Sequence, residues 1–522
     1  MKYLYGVAIL ACLVLWSSCR NDFETVASTG SLEFSRDTVY LDTVFTNIGS
    51  STYNLKVYNR SSDDIHIPSL RLSQGQSSNY RLNVDGIPGK EFTDVQVLAK
   101  DSIFIFVETT LDINNLPGSG NDFLYTDQIE FSGGGSEQKV ELVTLVKDAV
   151  FLYPADLGNN MYETLTLGEG EDAYEIEGFF LDDTELNFTN EKPYVIYGYA
   201  AVGSGKTLSI DPGARIHFHE SSGILVANNG SIQANGLPSA DPDALENEII
   251  FESDRLEPDF SEIPGQWGTL WLTNGSTNNS FKHTTIKNAV VGILMEGNDG
   301  NPTTETLRLE DVQIYNNSNV GLLSRNGTIY GENVVINNSG QSSLTCSLGG
   351  SYEFNHCTFG NYWTSSFRSF PAVQIDNFFP ISETEVAVAD LIKADFTNCI
   401  IYGNEPRELG LARVEDPTYL FNFNFTNSLI RFEDPNGDFE DDPLYNFSNT
   451  DFYTSSILNA DPAFLDTTVN NLNIETGVSA ADGIGNLNAA NQVPVDLNGT
   501  NRGSGSATPP DAGAYESVEV PD

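Results

Sequence analysis

The residues best spaced for metal chemistry lie in the acidic stretch 434–442, which reads DPNGDFEDD. Its alternating oxygen donors are Asp434, Asn436, Asp438 and Glu440. Calcium takes about six to eight oxygen ligands, and alternating side chains on a loop can provide several of them. Gly437 permits the sharp turn that such a loop needs. The stretch therefore predicts a calcium site, calcium being the one cofactor that the sequence indicates, while a metal-free acidic surface loop explains the same residues.

Two other groups of residues invite a chemical interpretation that their surroundings do not support. Residues 203–207, GSGKT, end like a phosphate-binding loop, but Ala200 occupies the position of its first glycine and a strand pattern follows instead of a helix. His217 and His219 share one strand face, whereas zinc usually requires more ligands and Glu220 points to the opposite face. We therefore expect no nucleotide partner, and we expect both histidines to face solvent.

The charge balance excludes one class of partner. Lys and Arg number 25 against 73 Asp and Glu, which gives a formal net charge of −48. Such a charge repels nucleic acid and anionic lipid surfaces, so we predict no nucleic-acid partner. At 522 residues, 39% of them hydrophobic, the chain is long enough for two or three domains with cores of their own.

The first residues have the outline of a signal peptide. Lys2 gives a positive start, and residues 3–16 form an uncharged, mostly apolar run that leads into Ser-Ser-Cys19. The uncharged stretch of roughly 16 residues is shorter than the span of about 20 that a bilayer requires. Small residues before a cysteine resemble the lipobox of bacterial lipoproteins, although Trp16 replaces the usual aliphatic residue. The resemblance implies removal of the signal peptide 1–18 and lipid attachment at Cys19.

An acylated Cys19 would hold the chain on a membrane through a polar tether, residues 19–30. The loose lipobox resembles those of Bacteroidota lipoproteins, which implies a location in the cell envelope, at the outer membrane. Asp22 and Glu24 directly after the anchor are compatible with display on the outer surface.

Residues 31–150 alternate apolar and polar side chains in short runs. TVYLDTVF and SIFIFVE are examples, and clusters of turn residues separate the runs. About seven short strands at this spacing predict a β-sandwich. The stretch resembles the immunoglobulin-like domains that separate the lipid anchor from the outer domain in Bacteroidota surface proteins, which implies the role of a spacer.

A short unit recurs between residues 151 and 455. It consists of a bulky apolar residue, any residue, Asn, Asp or His, a small residue, any residue, and Ile or Phe. The copies end at Ile286, Ile314, Ile336, Phe359, Ile401 and Ile430, which are 28, 22, 23, 42 and 29 residues apart, and the copy that ends at Ile336 departs from the unit only at its first position, Gly331. We interpret the spacing of 42 as two coils of about 21 residues. Cys357 and Cys399 lie in the apolar patterns of two copies, so we expect both to be buried thiols.

The repeat is too short for a propeller blade and has no helical pattern, which leaves a β-helix. Its fourth and sixth positions are two residues apart, so both face the interior of the coil. An asparagine ladder, in which the amide of one coil bonds to those above and below, is predicted at Asn288, Asn316, Asn338 and Asn361. Such ladders resemble those of the right-handed parallel β-helices of the pectate-lyase type. The resemblance implies an all-β chain with the sandwich first and the solenoid second.

Residues 456–522 resemble the closing coils and cap of secreted β-helix repeat proteins. The segments that carry the resemblance are DPAF at 461–464, DLNGTNR from Asp496 and PDAGAYE from Pro510. The resemblance implies that Arg502 pairs with Asp511 or Glu516 and locks the last turn. A solenoid needs covered ends because an open sheet edge pairs with other chains.

A β-helix does not by itself identify an activity. A polysaccharide lyase needs a cation and a base that abstracts the α-proton, and the basic residues of the solenoid form no recognisable lyase motif. The Gly-His-Gly and Arg-x-Lys motifs of β-helix hydrolases are also missing from the sequence. We therefore expect a surface protein that binds glycan or another envelope partner without a catalytic set. A polysaccharide lyase or a glycoside hydrolase is the alternative.

Overall fold

The computed structural model describes residues 25–28, 32–116, 120–133, 136–159, 161–168, 170, 173–241, 244–301, 303–382, 385–503 and 509–520. Cys19 and the signal peptide lie outside these residues, so the lipid anchor stays a prediction. The described chain is all-β. Its helices are α1 (Leu487–Gln492) and the 3-10 turns Gly75–Ser77, Ile113–Asn115, Pro258–Phe260, Pro443–Tyr445 and Thr467–Val469. None of them is long and apolar enough to cross a membrane.

The chain divides into two compact units, the first ending at Ala149 and the second covering Val150–Asp522. The strands of the first unit are β1 (Val26–Ala27), β2 (Glu33–Phe34), β3 (Thr38–Phe45), β4 (Tyr53–Tyr58), β5 (Ile65–Leu72), β6 (Tyr80–Val84), β7 (Ile87–Gly89), β8 (Glu91–Val97), β9 (Ser102–Thr109), β10 (Asp122–Gly133) and β11 (Ser136–Lys147). One sheet has the order β1-β5-β10-β11-β3 with β8 paired to β5, and the other has the order β2-β4-β9-β6-β7. Alternate residues of both sheets, such as Val39 and Ile105, are buried in one shared core.

The second unit, which we call the solenoid unit, is built from many short strands. They are β12 (Val150–Leu152), β13 (Asp156–Gly158), β14 (Met161–Tyr162), β15 (Thr164–Leu167), β16 (Tyr174–Phe180), β17 (Asn187–Phe188), β18 (Tyr194–Ile196), β19 (Tyr199–Val202), β20 (Thr207–Ile210), β21 (Arg215–Phe218), β22 (Gly223–Val226), β23 (Ser231–Asn235), β24 (Ile249–Ser253), β25 (Leu270–Leu272), β26 (Asn279–Lys287), β27 (Val291–Met295), β28 (Leu307–Asn317), β29 (Val320–Ser339), β30 (Leu344–Asn355), β31 (Thr358–Asn361), β32 (Val373–Asp376), β33 (Phe378–Pro380), β34 (Val386–Val388), β35 (Leu391–Thr397), β36 (Ile400–Gly403), β37 (Leu409–Ala412), β38 (Asn424–Thr426), β39 (Leu429–Ile430), β40 (Tyr453–Thr454), β41 (Ile457–Leu458), β42 (Phe464–Asp466) and β43 (Asn471–Ile474).

Twenty-six of these strands form one large sheet, consistent with a β-solenoid, and all its pairings are parallel except the β15–β16 hairpin. The first face runs β12-β18-β21-β24-β26-β28-β29-β31-β36-β39-β41. The second face runs β16-β19-β22-β25-β27-β29-β30-β32-β37, and the third runs β17-β20-β23-β26-β28-β29-β30-β35-β38-β40. Strand β29, with 20 residues, passes through all three faces within one coil.

The sequence repeat marks the same corner of successive coils. First-position residues are neighbours in the order Phe281, Leu309, Gly331, Phe354, Phe396 and Phe425. The fourth and sixth positions of these copies are buried inside the coils, as in Cys357 and Phe359. The interpretation of the 42-residue spacing as two coils is wrong, because Phe354 pairs directly with Phe396. The additional residues form an insertion that contains the β33–β34 hairpin.

The third residue of every copy has a left-handed backbone conformation. These residues, which we call the corner ladder, are His283 (φ 41°), Asp311 (φ 56°), Asn333 (φ 51°), His356 (φ 52°), Asn398 (φ 55°) and Asn427 (φ 49°). Asn, Asp and His are the side chains most enriched in this conformation. Asn288, Asn316 and Asn338 of the separately predicted asparagine ladder are also left-handed. An amide–amide bond of that ladder joins Asn338 Nδ2 to Asn316 Oδ1 at 2.7 Å, whereas Asn288 Nδ2 donates to the Ser261 carbonyl. Asn361 differs, because it does not share the left-handed backbone: its fully buried side chain accepts a hydrogen bond from the Ser339 amide.

The fourth residue of each copy, which directly follows the corner residue, is often a hydrogen-bond donor. The donors of this column are Thr284, Cys357, Cys399 and Ser428, and Ser456 continues it. Ser428 Oγ lies 3.1 Å from the carbonyl of Thr426 and 3.3 Å from that of Phe396 in the preceding coil. Cys399 Sγ shares the same two types of acceptor at 3.5 Å, so its buried thiol replaces a hydroxyl. Each donor thereby ties the left-handed corner to the coil before it.

After β41 the chain leaves the stack of coils and packs against the outside of the first face. We call residues 464–516 the C-terminal segment. Its buried apolar contacts involve Val335, Leu472, Ala514 and Tyr515 in one cluster and Ile400, Leu429, Ile474, Ala481 and Ala512 in another. The expected end cap therefore has a different place, since the segment covers the side of the solenoid. The physical reason is that Val335, Ile400 and Leu429 face outward and are apolar, so they need a cover.

Candidate functional site

A cleft of about 780 Å³ opens where the C-terminal segment meets the upstream coils of the solenoid unit. The loop around Leu245 forms one wall, and the described residues 469–473 and 493–499 form the other. The polar residues that line it are Ser239, Glu248, His283, Asp311, Gln313, Glu332, Asn333, Asn470, Asn471, Asn473, Asp496 and Asn498. Tyr315, Tyr515 and several aliphatic side chains complete the lining. A concave site of this size with convergent polar groups is typical of small-ligand binding.

The corner ladder brings the central polar side chains of the cleft together. His283, Asp311 and Asn333 occupy the third position of three successive coils, so the parallel register stacks them. His283 Nε2 lies 3.5 Å from Asp311 Oδ2. Asn333 Nδ2 donates to Asp311 Oδ1 at 2.8 Å. The same backbone geometry that turns each coil therefore also positions an imidazole, a carboxyl and an amide in one row.

The C-terminal segment fixes this row from the other side. Asn333 Nδ2 also donates to the carbonyl of Val495 at 2.9 Å, while Asn333 Oδ1 accepts from Arg502 Nη2 at 2.7 Å. Arg502 sets the orientation of the Asn333 amide, because a guanidinium only donates. The side chain of Arg502 is fully buried, and its Nη1 lies 2.8 Å from Glu516 Oε1.

Burial decides the protonation of the groups in the cleft. It raises the pKa of Glu248, Asp311 and Glu332, and like-charge repulsion adds to this, because Asp311 acts on Glu248 and Glu332 and Glu310 acts on Asp311 and Glu332. Burial, together with the positive charge of Lys282, lowers the pKa of His283 to about 4. His283 is consequently neutral at pH 7, with one ring nitrogen that donates and one that accepts. The cleft thus offers acceptors and donors with little fixed positive charge.

The predicted calcium loop is folded by its own hydrogen bonds. The carboxylate of Asp434 accepts from the amides of Asp438 at 3.0 Å and Phe439 at 2.9 Å, and Gly437 makes the turn with φ 73°. Asp438 Oδ2 lies 3.8 Å from Arg407 Nη1. Asn436 and Glu440 lie on the turn that Gly437 makes. In the part of the chain that the structure describes, no group of three or more His, Cys, Asp or Glu side chains is arranged to hold a metal ion.

The histidine pair and the GSGKT stretch have local roles. His217 is 5% exposed, contrary to the expectation that it faces solvent, and its Nδ1 lies 2.9 Å from the Ser253 carbonyl. His219 Nδ1 lies 2.8 Å from Asp254 Oδ2, and its ring stacks on Tyr197. Strand β20 begins at Thr207, so a strand, not a helix, follows GSGKT.

Of the expected cap residues, Arg502 and Glu516 are in contact, and Asp511 has other partners. The Asp511 carboxylate accepts from the amides of Gly483 and Ser517, both at 2.6 Å. The Arg502–Glu516 pair lies beside Asn333 on the flank of the solenoid instead of on its last coil. These residues therefore adjoin the cleft.

Sequence reasoning missed Glu248, His283, Asp311 and Glu332 as site residues. His283 and Asp311 stand in the repeat where downstream copies have Asn398 and Asn427, and this substitution within one repeat position was the available signal. Glu248 comes from the loop that lengthens an upstream coil, and nothing in its local sequence indicates that it reaches the corner ladder.

No family model and no curated protein matches the chain. A family 123 glycoside hydrolase from Clostridium perfringens, described in a study of glycolipid glycan hydrolysis, aligns with 23% of this chain and 26% of its own, at 10% identity and a TM-score of 0.16. The periplasmic chaperone SfaE aligns with 23% of this chain and 58% of its own, at 8% identity and a TM-score of 0.16. The chain thus spans less than two thirds of either structure, and neither likeness bears on fold or function.

Proposed function

We propose that the solenoid unit binds a neutral glycan segment in the cleft. The observation that carries the proposal is the lining: amide, carboxyl and imidazole groups converge there, and no Lys or Arg is among the described lining residues. Sugar hydroxyls both donate and accept hydrogen bonds, so amide, carboxyl and imidazole groups suit them. A uronate would instead leave its carboxylate without a cationic partner, at a cost in free energy.

We also propose a finer architecture and a location. The three parallel faces, the corner ladder and the asparagine ladder support a right-handed parallel β-helix of the pectate-lyase type. The two sheets of the first unit support an immunoglobulin-like sandwich that acts as a spacer. A signal peptide and a lipid on Cys19 would then attach the chain to the outer membrane and leave the solenoid unit as its glycan-binding part.

A panel of neutral and acidic polysaccharides, assayed by calorimetry with the full chain, tests the binding proposal. Gln313→Ala removes an amide from the cleft floor and should weaken neutral-glycan binding about tenfold, the effect of roughly one lost hydrogen bond. Gln374→Ala is the matched control, because Gln374 also faces outward on the solenoid unit but lies on its second face. Failure of every neutral glycan to bind, or equal binding by the two variants, would reject the proposal.

A glycoside hydrolase is the second candidate, and one observation favours it. Glu248, Asp311 and Glu332 keep their protons to higher pH than ordinary carboxyls, and such groups can act as general acids. New reducing ends from a bound glycan, lost in Asp311→Asn, would establish hydrolysis. The lyase alternative lacks a Lys or Arg base among the described lining residues, and unsaturated uronate absorbance would be needed to revive it.

A further inference from the structure

The five-stranded sheet of the first unit exposes two aromatic rings at its centre. Phe104 and Phe106 are alternate residues of β9, the middle strand, and are 44% and 41% exposed. Their ring centroids are 6.1 Å apart and their planes differ by 15°. The intervening Ile105 is fully buried in the core. Because the period of a strand is two, both rings lie on the outer face of the sheet, where polar residues are usual. The two rings, which we call the platform, therefore form an apolar patch on the outer face of the sheet.

Polar side chains flank this platform in register. Asn54 and Asn83 stand on either side of Phe106, and Lys56 stands beside Phe104. Lys56 Nζ lies 5.1 Å from the centroid of the Phe104 ring. Amides thus border Phe106 on both neighbouring strands, whereas Phe104 has Lys56 on one side and Asp85, whose amide donates to the Phe104 carbonyl at 3.3 Å, on the other.

The ammonium group of Lys56 differs from the other cations of this sheet. Arg60 pairs with Glu33 at 2.8 Å, and Arg81 lies 3.8 Å from Glu108. Lys56 has no carboxylate partner among the residues that the structure describes. In a chain with 73 acidic residues against 25 basic ones, a lysine placed on aromatic rings and away from carboxylates indicates an anionic ligand.

We propose that this outer sheet face binds a glycan that contains uronic acid. The C–H groups on one face of a pyranose ring are apolar and slightly positive, and they pack on the negative faces of Phe104 and Phe106. The uronate carboxylate pairs with Lys56, and neighbouring hydroxyls bond to Asn54 and Asn83. The negative charge elsewhere on the chain does not prevent this, because exposed charges farther than about 8 Å are largely screened at physiological ionic strength.

The site is separate from the cleft and takes a ligand of different charge. Its test is native electrophoresis of the full chain in gels that contain polygalacturonate, with mobility compared with that of the same variant in polymer-free gel. The wild-type chain should be retarded. The double variant Phe104→Ala/Phe106→Ala should lose at least about tenfold in affinity, since both stacking surfaces are gone. Exposed substitutions of this kind leave the core intact.

Two matched variants complete the experiment. Phe367→Ala removes a phenylalanine that is 90% exposed on the solenoid unit, and it should bind like the wild type. Lys56→Gln should lose the preference for polygalacturonate over a neutral galactan. The proposal is overturned if the wild type is not retarded, if the double variant binds like Phe367→Ala, or if the platform retains a protein and no sugar. Gln313→Ala should leave the retardation by polygalacturonate unchanged. A failure of the platform proposal is therefore distinguishable from a failure of the cleft proposal.

Discussion

One repeat position of the solenoid unit serves two purposes. Asn398 and Asn427 use their side chains to hold the C-terminal segment: Asn398 Oδ1 accepts from the Asn486 amide at 2.6 Å, and Asn427 Nδ2 donates to the Ile484 carbonyl at 2.7 Å. His283 and Asp311 keep the left-handed backbone at this position but turn toward the cleft. Because Asn, Asp and His all tolerate this conformation, the chemistry can vary while the corner persists.

Glu516 should make stability pH-dependent. Burial raises its pKa from 4.5 to about 7, an effect that the neighbouring Arg502 only partly offsets. The contribution of Glu516 to the free energy of unfolding is therefore fully present below about pH 4.5 and is lost as the pH rises to about 7. Over that pH range, the free energy of unfolding of the wild type should fall by about 3 kcal/mol relative to that of Glu516→Gln. Above that range, the free energies of unfolding of the two proteins should change with pH in parallel.

Urea unfolding of both proteins at a series of pH values measures this difference. Glu415→Gln provides the control, because the Glu415 side chain is 80% exposed and its loss should not alter the pH profile. Identical slopes for the wild type and Glu516→Gln would contradict the assigned burial of this carboxyl.

At the scale of a coil, the repeat predicted more than the strand positions. It identified which side chains point inward, because a six-residue unit that spans a corner fixes the direction of its fourth and sixth residues. It did not reveal that the fourth residue is a donor: the pattern required only a small side chain, and Val312 and Val334 also satisfy it. The spacing of 42 residues after Phe359 was misjudged because one coil together with its insertion is as long as two short coils.

The donor column yields a prediction of its own. Ser428→Ala removes the hydroxyl shared between the carbonyls of Thr426 and Phe396, and it should lower the free energy of unfolding by about 1 kcal/mol. Ser428→Cys should be close to neutral, because Cys399 makes the same contacts one coil earlier. Chemical denaturation of the wild type and both variants measures these free energies. If side-chain volume and not hydrogen bonding set the stability, Ser428→Ala would be more stable than Ser428→Cys.

At the scale of the molecule, the C-terminal segment could not be located from sequence. Its contacts with the first face join residues far apart in the chain, for example Leu472 with Val335, and no local period encodes such a pairing. The outward residues Ile400 and Leu429 would have been a hint, since an outward strand position on a solvated face is normally polar. The cleft depends on this placement, because one of its walls belongs to the segment.

Removal of residues 459–522 should therefore expose an apolar stripe without unfolding the coils. Each coil pairs with its neighbours independently of the segment, so far-ultraviolet circular dichroism should retain a β spectrum. The uncovered Val335, Ile400 and Leu429 should drive self-association, visible by light scattering, and neutral-glycan binding should be lost with the cleft wall.

Adding Ile400→Thr and Leu429→Thr to the shortened chain should restore the monomer but not the binding. A shortened chain that stays monomeric and still binds glycan would show that the segment neither covers this face nor builds the site. The two Thr substitutions separate these roles, because polarity on the first face replaces a cover whereas only the segment provides Asn471, Asn473 and Asp496.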